Sequence, residues 1–168
     1  MRTAIVNGLI AVTLLSGCTN PFAPRLLDQP LSSAGLSDQR SIDGVFQNFR
    51  IAYATKDTLT YGKLLASSFA FLYRNYERGV DLSWGRDEEM ITTAGLFQAA
   101  QTLDLVWNDI VLSSGDSTAH DIARGFVLTI TFSPSDIVRI QGRVNLRLVR
   151  SRSTDPWTIA VWRDESNY

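Results

Sequence analysis

Residues 137–150 read IVRIQGRVNLRLVR, and residues 156–163 continue them as PWTIAVWR. Val138, Ile140, Gly142, Val144, Leu146 and Leu148 share one parity, while Arg139, Gln141, Arg143, Asn145 and Arg147 share the other. A period of two held over about eleven residues predicts one long strand with a dry face and a wet face. In the shorter segment Trp157, Ile159 and Val161 alternate with Thr158, Ala160 and Trp162, and the polar residues 151–155 between the two segments close at Pro156. The pair predicts an antiparallel hairpin. Its dry face needs an apolar cover from earlier in the chain.

The 168 residues are 45% hydrophobic and 20% charged, as expected for one globular domain with a real core. A formal net charge of -1 argues against nucleic acid as a partner, because that binding needs an excess of Lys and Arg to neutralise phosphates.

Near the start, Arg2 precedes an apolar run over residues 4–15, too short to span a bilayer, and Leu15-Ser16-Gly17-Cys18 follows. These four residues resemble a bacterial lipobox, and Cys18 is the single cysteine. The resemblance implies a signal peptide over residues 1–17, cleavage before Cys18, and lipidation of its thiol. The membrane is then a partner through that anchor, at the bacterial cell envelope. Thr19, in place of Asp, resembles the pattern of lipoproteins sent to the outer membrane, facing the periplasm in a diderm bacterium. Residues 18–40 carry Pro21, Pro24 and Pro30 with no periodicity, and read as the lipidated Cys and a flexible tether.

Order is expected from Ser41, which with Asp43 caps a helix over residues 42–56. Ile42, Val45, Phe46, Phe49, Ala52 and Tyr53 form its apolar stripe and the natural cover for the sheet. A second short helix is predicted over residues 59–66. Phe69, Phe71 and Tyr73 alternate along a strand with an aromatic face, and residues 75–83 read as a polar loop. A third helix opens at residue 85 or 86, with Asp87, Glu88 and Glu89 in the first turn, where negative charge meets the positive end of the helix dipole. Met90, Ile91, Ala94 and Phe97 are its expected buried stripe. Strands follow over residues 102–108 and 123–132, before the opening hairpin.

Helices gathered on one face of an antiparallel sheet make an α+β architecture. Residues 45–71, VFQNFRIAYATKDTLTYGKLLASSFAF, resemble the opening of the NTF2-like superfamily, which includes SnoaL-like and ketosteroid-isomerase-like proteins. Residues 156–164 resemble its last strand. Residues 83–90, SWGRDEEM, resemble the third-helix entry of NTF2-like lipoproteins. The resemblance implies an NTF2-like domain over residues 41–168: a cone in which a curved antiparallel sheet packs on a long N-terminal helix and two shorter ones, with a pocket at its open end.

The family's chemistries map poorly onto this chain. Phe49 stands where the isomerase-like position holds an oxyanion-donating tyrosine, and Tyr73 stands at the position of its carboxylate base; a phenol is a poor base at neutral pH. Scytalone-dehydratase-like chemistry needs histidines, and the single one, His120, lies in what reads as a polar loop over residues 113–121. An epoxide-hydrolase-like arrangement would have to join Asp104 to Arg139, Arg143 or Arg147. The residues give no metal cluster, phosphate loop or nucleophile elbow, and imply no cofactor. Phe49, Tyr53, Phe71, Tyr73 and Trp107 either line a ligand pocket or fill the core. The leading expectation is a membrane-anchored, non-catalytic domain that binds a small apolar ligand or a protein partner. One alternative is an enzyme using a pair such as Asp104 and Tyr73. Another is a dimeric assembly protein whose interface is the Arg139, Arg143 and Arg147 face.

Overall fold

The computed structural model describes residues 35–75 and 78–165. The expected signal segment, Cys18 and most of the tether lie outside the described residues. The elements are α1 (Ile42–Thr55), α2 (Thr58–Leu64), β1 (Leu65–Asn75), β2 (Val80–Gly85), α3 (Arg86–Ala99), β3 (Thr102–Gly115), β4 (Ala119–Ser133), β5 (Asp136–Val149) and β6 (Thr158–Asp164).

Helix α1 starts where its cap chemistry dictates. The Ser41 hydroxyl accepts from the Gly44 amide at 3.1 Å, satisfying one of the free donors of the first turn. Five of the six expected stripe residues, Val45, Phe46, Phe49, Ala52 and Tyr53, are buried. Burying each large side chain contributes about 1.5–3 kcal/mol. Lys56 ends the helix in the left-handed region, with its amide on the Ala52 and Tyr53 carbonyls. Asp57 then caps α2, accepting from the Leu59 and Thr60 amides.

Ordered contacts begin ahead of the expected boundary at Ser41. The Ser37 amide donates to Asn48 Oδ1 at 2.7 Å, and buried Gln39 donates to the Trp157 carbonyl at 3.0 Å. The end of the tether segment is therefore stitched to α1 and to the entry of β6.

The six strands form one sheet in the order β2-β1-β6-β5-β4-β3. Three helices pack against this curved, unclosed sheet, an α+β architecture. The sheet is mixed where a purely antiparallel one was expected, because β1 runs parallel to β6. The parity read from β5 holds in its second half, where Val144, Leu146 and Leu148 are buried and Arg143 and Arg147 exposed, but Val138, expected on the dry face, is 41% exposed.

Other expectations are corrected. The second helix stops at Leu64, and Ala66 already belongs to β1. Much of the supposed loop over residues 75–83 is edge strand β2, whose Trp84 sits opposite Phe71. Strands β3 and β4 run far beyond their expected ends, which shrinks the loop between them to residues 116–118. Gly115 makes that turn possible, since at its φ of 151° a Cβ would sit 2.3 Å from the Ala119 carbonyl oxygen. In β6 a register shift between Ile159 and Val161 leaves Ala160 as an extra residue. The bulge reverses the alternation, so Trp162 rather than Val161 turns inward.

Candidate functional site

Between α1, α3 and the inner face of the sheet lies a cavity of about 210 Å³. Phe49 and Tyr53 of α1, Phe71 of β1, Trp84 of β2, Trp107 of β3 and Trp162 of β6 give its aromatic walls. Phe49 is the hub, with ring centroids 5.1 Å from Tyr53, 5.4 Å from Trp107 and 5.3 Å from Trp162. Phe71 and Trp84 stack at 4.4 Å with planes 11° apart, a consequence of their pairing across β1 and β2. Leu96, Leu105, Phe126, Leu128, Ile140 and Val144 complete the apolar lining.

Polar wall residues are few: Glu89, Thr92 and Thr93 of α3, and Asp164 at the end of β6. Glu89 is only 4% exposed. Its Oε1 accepts from the Tyr61 hydroxyl at 2.5 Å and the Thr93 hydroxyl at 3.0 Å, while Oε2 accepts from Trp84 Nε1 at 2.7 Å. A buried carboxylate is tolerated when such donors surround it. Burial, followed by the charge on Glu89, holds the Tyr53 phenol well above its ordinary value. Tyr61 is raised as well, by burial first, then by its coupling to Tyr53 and by Glu89. Both phenols therefore stay neutral donors at physiological pH. Trp162 Nε1 is buried with no acceptor within reach.

Of the five aromatic residues expected to line a pocket, Phe49, Tyr53, Phe71 and Trp107 border the cavity. Tyr73 is not among its walls; it packs on Phe71 at 6.1 Å and Trp84 at 5.3 Å. Asp104 and Tyr73 cannot act together. They stand on β3 and β1, four strand spacings or about 19 Å apart along the sheet, and neither borders the cavity. Asp104 and Arg139 both face Thr129 across the sheet and are exposed, away from the cavity. His120 is on β4, not in a loop, with Nε2 2.8 Å from Ser113 Oγ and its ring 6.4 Å from Trp157. Arg143 pairs with Glu165 at 3.1 Å and Arg147 with Asp121 at 3.0 Å on the exposed face. Among the described residues no three His, Cys, Asp or Glu side chains converge as a metal site.

Reading the sequence missed Trp84, Glu89, Trp162 and Asp164. Glu89, Thr93 and Phe97 are the buried residues of α3, at positions i, i+4 and i+8. That spacing was visible, but an acid in the first turn of a helix reads as a complement to the dipole, which suits only exposed Asp87 and Glu88. Ile91, expected inside, is 74% exposed.

No protein-family model matches the sequence, and no curated protein matches it. Solved structures do. A protein from Streptomyces avermitilis, described as a candidate dehydratase of the NTF2-like family, superposes with a TM-score of 0.62 at 13% identity, over 78% of this chain and 97% of that one. The fold is NTF2-like. A candidate scytalone dehydratase from Novosphingobium aromaticivorans matches with a TM-score of 0.65 at 11% identity, covering 77% and 83% of the two chains. A conserved protein from Planctomyces limnophilus matches with a TM-score of 0.66 at 14% identity, covering 77% and 96%. Identities this low speak for the NTF2-like fold and leave the chemistry to the residues of the cavity.

Proposed function

We propose that this chain is a lipid-anchored NTF2-like domain of the bacterial envelope that binds a small, largely apolar ligand without transforming it. The carrying observation is the cavity of about 210 Å³ walled by seven aromatic side chains. The Leu15-Ser16-Gly17-Cys18 motif supports the anchor. Native mass spectrometry of the chain from residue 19 onward, released gently from a bacterial host, tests the ligand. A mass excess that disappears on denaturation is expected, and a bare mass from several hosts would count against it. Replacing Cys18 by Ala should move the full-length protein from the membrane to the soluble fraction; retention in the membrane would refute the anchor.

Glu89 favours a second reading, an enzyme of this fold that uses a buried carboxylate for proton transfer. All three donors to Glu89 come from the chain itself, however, so its oxygens are already engaged, which suits holding better than shuttling. Incubating the protein with the ligand recovered from it separates the two readings. Turnover abolished by Glu89→Gln would establish the enzyme, and an unchanged ligand would support binding alone.

A further inference from the structure

We propose that a second site, outside the cavity, binds small zwitterions of the amino-acid class in the groove between α1 and strand β3. It stands independently of the ligand-binding reading of the cavity. The groove measures about 420 Å³. Asp43, Phe46 and Arg50 border it from α1, at positions i, i+3 and i+7, which lie on one stripe of a helix. Residues 104–107 of β3 form the opposite wall, and Arg124 reaches in from β4. Because β3 is the last strand of the sheet, no neighbouring strand among the described residues fills this side. Leu105 and Trp107 border both spaces and so separate the groove from the cavity.

Arg124 is fixed by the chain itself. Its guanidinium lies 4.7 Å from the Phe46 ring centroid and 5.9 Å from that of Trp107, and its Nε donates to the Asn108 carbonyl at 2.8 Å. These contacts set the plane of the fork and leave the N–H groups of Nη1 and Nη2 for an acceptor. A carboxylate matches such a fork with two parallel hydrogen bonds. The other charges of the groove complete the pattern. None of the ion pairs among the described residues includes Asp43, Arg50, Asp104 or Arg124. Two charges of each sign therefore border one groove without meeting. A plain carboxylate on Arg124 would sit near Asp43, one helical turn from Phe46, and a plain cation would sit near Arg124. A zwitterion answers both signs, with its carboxylate on Arg124 and its ammonium on Asp43 or Asp104.

The test uses the full-length chain in detergent and three probes of similar size: γ-aminobutanoate, which carries both charges, and butanoate and butylammonium, which carry one each. Binding is followed by the Nε–H resonance of Arg124, assigned by its loss in Arg124→Lys, and by the backbone amide of Val106. The amides of Leu128 and Ile140, which border the cavity and not the groove, report any probe that enters there instead. γ-Aminobutanoate should bind about tenfold more tightly than either singly charged probe, the yield of one added charge-assisted contact. Asp43→Asn with Asp104→Asn should lower its affinity to that of butanoate. Arg124→Lys keeps the charge but loses the fork, and should weaken both carboxylate probes. Butanoate binding as tightly as γ-aminobutanoate would overturn the zwitterion class, and groove resonances unmoved by every probe would overturn the site; the reading of the cavity survives either result. If Arg124→Lys does not fold, the two aspartate substitutions, both at exposed positions, decide the matter.

Discussion

On the outer face of the sheet Asp121 meets Arg147, Glu165 meets Arg143, and Asp81 is shared by Arg74 and Arg163, each within 3.0–3.1 Å. On the inner face Glu89 meets a tyrosine, a threonine and a tryptophan. The outer acids are half-exposed, where water screens them and an arginine adds little. The inner acid is buried, where every donor counts and a neutral one leaves its charge standing. The outer acids are thus paired with arginines, and the inner one is held by neutral donors.

The largest expected effect comes from the hub of the inner face. Phe49 is 1% exposed and touches Tyr53, Tyr61, Trp107 and Trp162. Phe49→Ala should cost about 3–5 kcal/mol in urea unfolding. A cost below about 1 kcal/mol would mean that the ring is a loosely held liner and not part of the core, and the contrast between the faces would weaken.

Next comes the shell of Glu89. Tyr61→Phe removes one hydrogen bond to a buried carboxylate and should cost about 1.5–3 kcal/mol. In a double-mutant cycle with Glu89→Leu the two changes should couple strongly, since each removes the same contact. Strict additivity would show that the phenol and the carboxylate do not meet in solution.

Why these residues escaped the sequence while others did not has a physical answer. Val45, Phe46, Phe49, Ala52 and Tyr53 on α1, and Val144, Leu146 and Leu148 on β5, announce themselves because a regular element repeats its buried face at a fixed period. That regularity was enough for the helical cover, the long strand and the α+β class, and the resemblance of residues 45–71 and 156–164 implied the NTF2-like fold. Trp162 was misread because the bulge at Ala160 changes the period in mid-strand, and nothing in Thr158-Ile159-Ala160-Val161 announces it. Strand β2 escaped because it is short, polar in part and at an edge, although Val80, Leu82 and Trp84 do alternate. The parallel pairing of β1 with β6 joins distant parts of the chain and leaves no local trace. Glu89 was hidden by a rule that is correct for its neighbours Asp87 and Glu88.

The tyrosines sharpen the contrast through pH. Burial and negative charge raise the Tyr53 and Tyr61 phenols in the folded state, whereas in the unfolded chain they ionise near pH 10. Their contribution to stability is therefore full below about pH 10 and is lost as pH rises above it, because only the unfolded chain can then release these protons. In a titration followed by phenolate absorbance, two of the five tyrosines should stay silent until the protein unfolds. Five tyrosines ionising together near pH 10, with the fold intact, would place both phenols in water.

The smallest effect belongs to the outer face. Arg147 and Asp121 are each 51% exposed, so Arg147→Ala should cost only about 0–1 kcal/mol, and molar salt, with a Debye length near 3 Å, should erase the difference. The measurement is the urea midpoint of wild type and variant at low and high salt, repeated at two protein concentrations. A larger loss that grows on dilution would mean that a second copy covers this face, because dissociation couples stability to concentration. The row of Arg139, Arg143 and Arg147 would then be an interface. A small, concentration-independent loss leaves the ion pairs as surface chemistry that salt screens.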